Sequence, residues 1–97
     1  MKVENIINNN GNRAANQFVI KHGDKVYFQS YESVVALWDK GEGRLIVTPR
    51  WDFSVTTRKH FYIFLNDYTR YSGKRDEVLN GIKDGSIVVV KHGDLDF

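Results

Sequence analysis

The sequence of 97 residues contains no cysteine, one proline and one methionine. Without cysteine, disulfide bonds and thiolate zinc sites are both excluded, and thiol usage says nothing about the compartment. No apolar run approaches the roughly 18 residues that a membrane-spanning helix needs, and the polar start MKVENIINNNGN is unlike a signal peptide. We therefore expect a soluble, cytoplasmic protein that does not contact a membrane.

The composition predicts a single domain covering residues 1–97. Hydrophobic residues make up 41% of the chain and include six Phe, five Tyr and two Trp, enough apolar surface to offset the conformational entropy lost on folding. A second domain would need more chain. Asparagine is concentrated in the first dozen residues and favours turns. Residues 1–12 are therefore predicted to be a mobile arm, or a short helical turn that ends at Gly11.

Two hairpins are predicted from apolar stretches on either side of turn residues. NQFVI and KVYFQS flank the Gly and Asp of KHGD at residues 21–24, which is typical of a tight turn. The next stretch, YESVVALW at residues 31–38, allows a helix or a strand. The hairpin-length loop DKGEG and the strand-like LIV that follow it favour a second hairpin. Pro49 is expected to end its last strand, because proline cannot donate to a ladder.

Two helices and a last strand complete the prediction. The first helix begins near Ser54, and its core-facing residues recur at helical spacing: Phe61, Phe64, Leu65 and Tyr68. The second is shorter and ends at Gly85, with three inward residues: Val78, Leu79 and Ile82. IVVVK predicts a strand that is central or buried on both faces. The order β-β-β-β-α-α-β indicates an α+β fold, a small antiparallel or mixed sheet of four to five strands with two helices packed on one face.

The string KHGD occurs twice, at residues 21–24 and 91–94. If the two turns meet in space, four side chains would be adequate ligands for a transition metal: His22, Asp24, His92 and Asp94. The Gly and Asp of a strand-ending turn explain each string equally well, and the similarity does not extend into a longer repeat. We therefore predict two turns and no metal or cofactor. A joint site would require the strands at residues 16–20 and 87–91 to be parallel neighbours.

A second group of residues allows a catalytic interpretation. Asp52, Ser54, Thr57 and His60 lie close in sequence, as a nucleophile, a base and an orienting group would. At a helix start, however, Ser and Thr are more simply explained as caps. The sequence has no glycine elbow around Ser54, no paired-carboxylate spacing and no P-loop, dinucleotide-binding, H-E-x-x-H or EF-hand motif. We expect a protein that is not an enzyme, and no catalytic residue is assigned.

The positive charge is concentrated in one segment, although the net charge is only +2. Residues 56–75 hold five Lys/Arg against one Asp/Glu, whereas residues 76–97 hold two against five. Cations interleaved with tyrosines suit a nucleic acid or an acidic protein surface, and an ordinary solvated helix has the same composition. The predicted partner-binding residues are Arg58, Lys59, Tyr62, Arg70, Tyr71, Lys74 and Arg75. The acidic tail that ends at Phe97 could neutralise this segment within the domain or in a second copy.

Three stretches carry the patterns N-R-x-x-N-Q-F, F-Q-S-Y and T-T-x-K/R-H in this order: NRAANQFVI, YFQSYESVVAL and WDFSVTTRKHFYIFL. Over roughly residues 12–65 the chain thereby resembles small, mostly uncharacterised proteins encoded by bacteriophages and other mobile elements. The resemblance implies a role in host takeover or counter-defence, such as inhibition of a CRISPR effector, in the host-cell cytoplasm. It assigns no catalytic residue. It makes six residues worth testing, with a structural role in joining the first strand to the helix cap as the alternative: Arg13, Asn16, Gln17, Thr56, Thr57 and His60.

These observations together predict a small, non-enzymatic binding protein of phage type that occludes a host or phage macromolecule. A protein partner is favoured over a nucleic acid, because Trp51, Arg70 and Tyr71 are residue types enriched at interface hot spots, and a homodimer is compatible with the sequence. The alternative is a nucleic-acid-binding module that uses residues 56–75.

Overall fold

The computed structural model describes all 97 residues, which form six strands, two α-helices and one 3₁₀ turn. The strands are β1 (Lys2–Ile7), β2 (Arg13–His22), β3 (Lys25–Ser30), β4 (Ser33–Asp39), β5 (Arg44–Val47) and β6 (Ile87–Val89). The 3₁₀ turn Pro49–Asp52 leads into α1 (Val55–Tyr68), and α2 (Arg75–Asp84) precedes β6. Neither helix is long and apolar enough to cross a bilayer.

The strands form one sheet in chain order, with β1 at one edge and β6 at the other. β1 to β5 are antiparallel, and β6 pairs with β5 in parallel. A parallel neighbour requires a long crossover, which α1 and α2 supply. The predicted α+β fold is confirmed, with a mixed sheet of six strands where the sequence predicts four to five.

Both predicted hairpins are confirmed. Gly23, with φ of +62°, forms the tight turn between β2 and β3, and His22 pairs with Lys25 across it. The ambiguous stretch at residues 31–38 contains β4, which pairs with β5 as the second hairpin. Strand β5 stops two residues before Pro49, because proline cannot continue the ladder.

Three local predictions are wrong. Residues 2–7 form strand β1, where the asparagine content predicts a mobile arm or a helical turn; the fully buried Ile6 anchors this strand to the core. β6 is an edge strand that ends at the 44% exposed Val89, although its apolar run predicts a central strand. Leu79 is exposed, because α2 approaches β6 closely at Gly81, where a Cβ atom would collide with the side chain of Ile87.

Helix α1 packs its apolar stripe against one face of the sheet, as the spacing predicts. Ser54 caps it by accepting a hydrogen bond from the N–H of Thr57. Phe61 and Phe64 are fully buried against Phe28 of β3, with ring centroids 6.4 and 5.6 Å apart. Burying a phenylalanine contributes about 1.5–3 kcal/mol, so this contact fixes the helix on the sheet. α2 adds Val78 to the same core.

The C-terminal tail lies against the strands on the other face of the sheet. The ring of Phe97 meets the ring of Tyr27 of β3 edge-on, with centroids 4.6 Å apart. Tyr27 lies between the core residues Val26 and Phe28 along the strand, so its side chain points to the face opposite the core. Asp96 Oδ1 accepts a hydrogen bond from the N–H of Val34. The tail therefore covers the sheet and does not neutralise the basic segment of its own domain.

Candidate partner-binding groove on helix α1

The largest cavity of the protein is an open groove of about 740 Å³ beside α1. One wall is formed by Ile7 at the end of β1 and by Asn8 and Asn9 in the turn that follows. The other wall is formed by seven residues of α1: Val55, Arg58, Lys59, Tyr62, Ile63, Asn66 and Asp67. None of these seven belongs to the buried stripe of the helix, so α1 uses one side for the core and another for the groove.

The groove presents apolar side chains to solvent from both walls. Val55, Lys59, Tyr62, Ile63 and Asn66 are spaced by three, four or one residue, which places them on one side of a helix. Val55 is 71% exposed, and Ile7 opposite is 47% exposed. Exposed apolar groups that line a concave surface among amides and charges are typical of a contact site.

The wall opposite the helix is held in place by asparagine side chains. Asn8 Oδ1 accepts hydrogen bonds from the N–H groups of Asn10 and Asn12, both 3.0 Å long, and Gly11 takes the left-handed conformation at φ +81°. Asn5 Nδ2 donates to the carbonyl oxygen of Ala14 on β2. The asparagines thus do favour a turn, but the turn connects two strands. The missed strand β1 is the reason why the sequence gives no indication of this wall.

Asp52 neutralises two of the predicted partner-binding cations. Arg75 donates to both carboxylate oxygens of Asp52 over 2.7 and 2.9 Å, and Arg58 donates to one of them over 2.8 Å. These hydrogen bonds hold the pKa of Asp52 below its ordinary value, and those from Arg75 have the largest effect. The guanidinium of Arg75 also lies 5.5 Å from the ring centroid of Trp51. Arg58 and Arg75 therefore brace α1 and α2 against the 3₁₀ turn.

Arg70 and Tyr71 form a separate aromatic cluster with Trp38. The Arg70 guanidinium carbon lies 5.7 Å from the Trp38 ring centroid and 5.6 Å from that of Tyr71. Neither Arg70 nor Tyr71 lines the groove, and the exposed Lys74 directly precedes α2. Of the seven residues predicted from the basic segment, only Arg58, Lys59 and Tyr62 line the groove.

The two KHGD strings are both turns, and they lie apart. β2 and β6 are separated by three strands, so the parallel neighbours that a joint metal site would require are not formed. His22 ends β2 beside the start of β3. His92 Nε2 lies 3.0 Å from the hydroxyl of Ser33, which begins β4 at the other end of β3.

The residues considered for catalysis make hydrogen bonds within the start of α1. Ser54 Oγ accepts the N–H of Thr57 and donates to its hydroxyl, with both distances 3.1 Å. His60 Nδ1 lies 2.7 Å from the carbonyl oxygen of Thr56, and Asp52 is held by two arginines. The contacts of Ser54, Thr57 and His60 are those of a helix start and its cap, whereas the pairs of Asp52 join the 3₁₀ turn to both helices.

Residues from the three stretches NRAANQFVI, YFQSYESVVAL and WDFSVTTRKHFYIFL meet beneath the cap of α1. Gln17 of β2 is fully buried and pairs with Ser30 of β3, and the hydroxyls of Ser30 and Thr57 lie 2.9 Å apart. The carbonyl oxygen of Asn16 accepts the N–H of Tyr31 over 2.7 Å. Of the six residues singled out by the pattern, Asn16, Gln17 and Thr57 therefore lie where the first hairpin meets the helix cap.

Comparison with known proteins gives a family without an assigned role. No curated protein and no solved structure matches the chain significantly. One family model matches residues 1–80, a range that includes the first five strands, α1 and both walls of the groove. The chain therefore belongs to a family of unknown function (DUF8033).

Proposed function

We propose that this protein is a non-enzymatic binding protein that occludes a macromolecular partner, and that the α1 groove is its contact surface. The observation that carries the proposal is the exposure of apolar side chains on facing walls, Val55 on α1 and Ile7 on β1. Apolar surface left in water costs about 25 cal/mol per Å², and a partner that covers it recovers this free energy. The engagement of Ser54, Thr57 and His60 in the helix start supports a role without catalysis.

The chemistry of the groove favours a protein segment as the partner. Tyr62 and Ile63 offer apolar contact, whereas Asn66 offers an amide that both donates and accepts hydrogen bonds. Lys59 forms no ion pair, whereas Arg58 is already paired with Asp52. A segment that combines an apolar side chain with a carboxylate would match this surface better than a row of phosphates, which would meet one free cation.

Nucleic-acid binding is the second candidate, because Arg70 forms no ion pair and lies beside the partly exposed ring of Tyr71, a platform for a stacked base. Such stacking supports single-stranded binding. Its affinity would fall steeply with salt, with a slope of about −0.7 in log K against log salt for each phosphate neutralised. A flat salt response would exclude this candidate.

The resemblance to phage and mobile-element proteins supports a host macromolecule as the partner. A host defence effector, such as a CRISPR nuclease, would fit, because an inhibitor that covers the active or substrate-binding surface of an enzyme needs no catalytic activity itself. The resemblance covers both Ser30 on β3 and Thr57 at the start of α1, and the hydrogen bond between these two residues fixes the helix that carries the groove.

A pull-down from host lysate, with and without nuclease, tests the proposal when three baits are compared: the wild type, Val55→Asp and Leu79→Asp. An acidic residue in the first turn of a helix is favourable, so Val55→Asp should keep the fold. Leu79 is an exposed apolar residue outside the groove and serves as the control. We expect a nuclease-resistant partner that Val55→Asp loses and Leu79→Asp retains. Equal capture by all three baits, or loss of the partner on nuclease treatment, would overturn the proposal.

A further inference from the structure

Strand β1 has an open edge next to the groove, and Ile7 at the end of the strand borders both. It is the terminal strand of the sheet and pairs only with β2, so the N–H and C=O groups along its other edge have no strand to bond. Val3 on this strand is 59% exposed and Met1 before it is 75% exposed. An exposed edge with apolar side chains is a template for another strand.

We propose that β1 pairs antiparallel with β1 of a second copy of this chain, with the two-fold axis at Val3. In this register Val3 faces Val3 of the other copy, Lys2 faces Glu4, and Met1 faces Asn5. The ladder is interrupted by an irregularity between Asn5 and Ile7. The regular part of the edge, residues 2–5, therefore has Val3 near its middle, and the register pairs residues 1–5 of the two copies.

Charge complementarity points to a second copy as the occupant. Lys2 and Glu4 lie on the same side of β1, with Nζ and Oε2 4.0 Å apart. The two-fold at Val3 places each Lys2 opposite the Glu4 of the other copy, and opposite charges directly across two strands are stabilising. A two-fold at Glu4 would instead place two carboxylates face to face. Lys21 already holds Glu4 Oε1 at 2.8 Å, which fixes the carboxylate that Lys2 of the other copy would face.

A depression of about 390 Å³ lies along the same edge. Its lining includes Val3, Asn5 and Ile7 of β1 together with Arg13 and Tyr68. Because Met1 of the second copy would face Asn5, its flexible side chain would reach this depression. The contact is the same patch on both copies, so the assembly closes as a dimer and does not extend into a fibre.

The absence of cysteine from the chain allows a direct test by crosslinking. Residues that face each other across antiparallel strands have Cα atoms about 4.5–5.5 Å apart, a distance that suits a disulfide. We expect Val3→Cys to form a covalent dimer under mild oxidation. Ile7→Cys is the control, because the two Ile7 positions would be eight residues apart along the strands, roughly 26 Å.

A charge exchange tests the register independently. Lys2→Glu and Glu4→Lys each place like charges across the interface, so each variant alone should dimerise on the order of tenfold more weakly than the wild type. A mixture of the two variants restores both opposite-charge pairs and should form a heterodimer in sedimentation velocity. A wild type that stays monomeric at all concentrations, or a Val3→Cys dimer no more abundant than that of Ile7→Cys, would overturn the proposal.

The dimer and the proposed function can fail separately. Val3 does not line the α1 groove, and Val55 does not line the β1 edge. Val3→Asp should abolish the dimer and leave partner capture unchanged, whereas Val55→Asp should do the opposite. Loss of both properties in either variant would contradict the assignment of two separate surfaces.

Discussion

The hydroxyl groups of Ser30 and Thr57 lie 2.9 Å apart in a buried contact, although the residues are separated by 27 positions in the sequence. Ser30 ends β3, and Thr57 stands in the first turn of α1, where its own N–H bonds to Ser54. The contact therefore fixes the start of the helix on the sheet. Since Val55, two residues before Thr57, lines the groove, this bond also positions the proposed contact surface.

Thr57→Val should destabilise the protein by about 1–2 kcal/mol, because it leaves the buried hydroxyl of Ser30 without its partner. Thr56→Val is a matched control on the exposed side of the same turn and should change the free energy of unfolding by less than about 0.5 kcal/mol. Urea denaturation of both variants checks the difference. Equal stabilities would mean that the Ser30 contact does not hold the helix.

Gly73→Ala should cost roughly 3 kcal/mol or more. At φ of +83° an alanine is strained by about 1–2 kcal/mol, and its Cβ would also collide with the carbonyl oxygen of Tyr62, which adds overpacking. Gly85→Ala has the same kind of strain at φ +85° with open space around the Cβ. The difference between the two unfolding free energies isolates the collision. If Gly85→Ala were as costly as Gly73→Ala, the close approach of residue 73 to α1 would be refuted.

Asp52→Asn should lower stability at neutral pH by about 1 kcal/mol, because it weakens the hydrogen bonds that join the 3₁₀ turn to both helices. The pKa of Asp52 is held below its ordinary value of 3.8, so its contribution is present above pH 3.8 and is lost as the pH falls through the lowered pKa. The difference between wild type and variant should therefore vanish in acid. Thermal unfolding from pH 2 to pH 7 measures it, and a difference independent of pH would contradict the pairing.

Reversing Arg70 and Lys74 together to Glu should leave partner capture within about threefold of the wild type if the groove is the contact, because neither side chain lines it. The same double variant should abolish binding if the partner is a nucleic acid that stacks on Tyr71 beside Arg70. Affinity measured for the captured partner decides between the two surfaces. A loss of more than about tenfold would move the contact from the groove to the Arg70 cluster.

The sequence predicts those parts of the fold that local chemistry determines. Gly23 and Pro49 locate the hairpin turn and the end of β5, and the spacing of Phe61, Phe64 and Leu65 locates the buried face of α1. β1 is missed because five asparagines in the first dozen residues indicate a turn, and because Ile6 is the only fully buried residue of this short strand. β6 is misplaced because an apolar run does not reveal whether a strand has one neighbour or two.

The candidate site is only partly predictable for a related reason. The basic, tyrosine-bearing segment leads to Lys59 and Tyr62, which do line the groove. The wall at Asn8 and Asn9 depends on β1, and the neutralisation of Arg75 depends on Asp52, a residue 23 positions earlier. Charge counted along a sequence cannot detect a pair of this kind, so the basic segment suggests more free cations than the folded protein offers.

The most direct test of the central claim is the dissociation constant of the captured partner, once purified, for the wild type, Val55→Asp and Leu79→Asp, measured by calorimetry. If the groove is the contact, Val55→Asp should raise the dissociation constant at least tenfold, which corresponds to about 1.4 kcal/mol, and Leu79→Asp should leave it unchanged. Indistinguishable dissociation constants for the three proteins would show that the α1 groove is not where the partner binds.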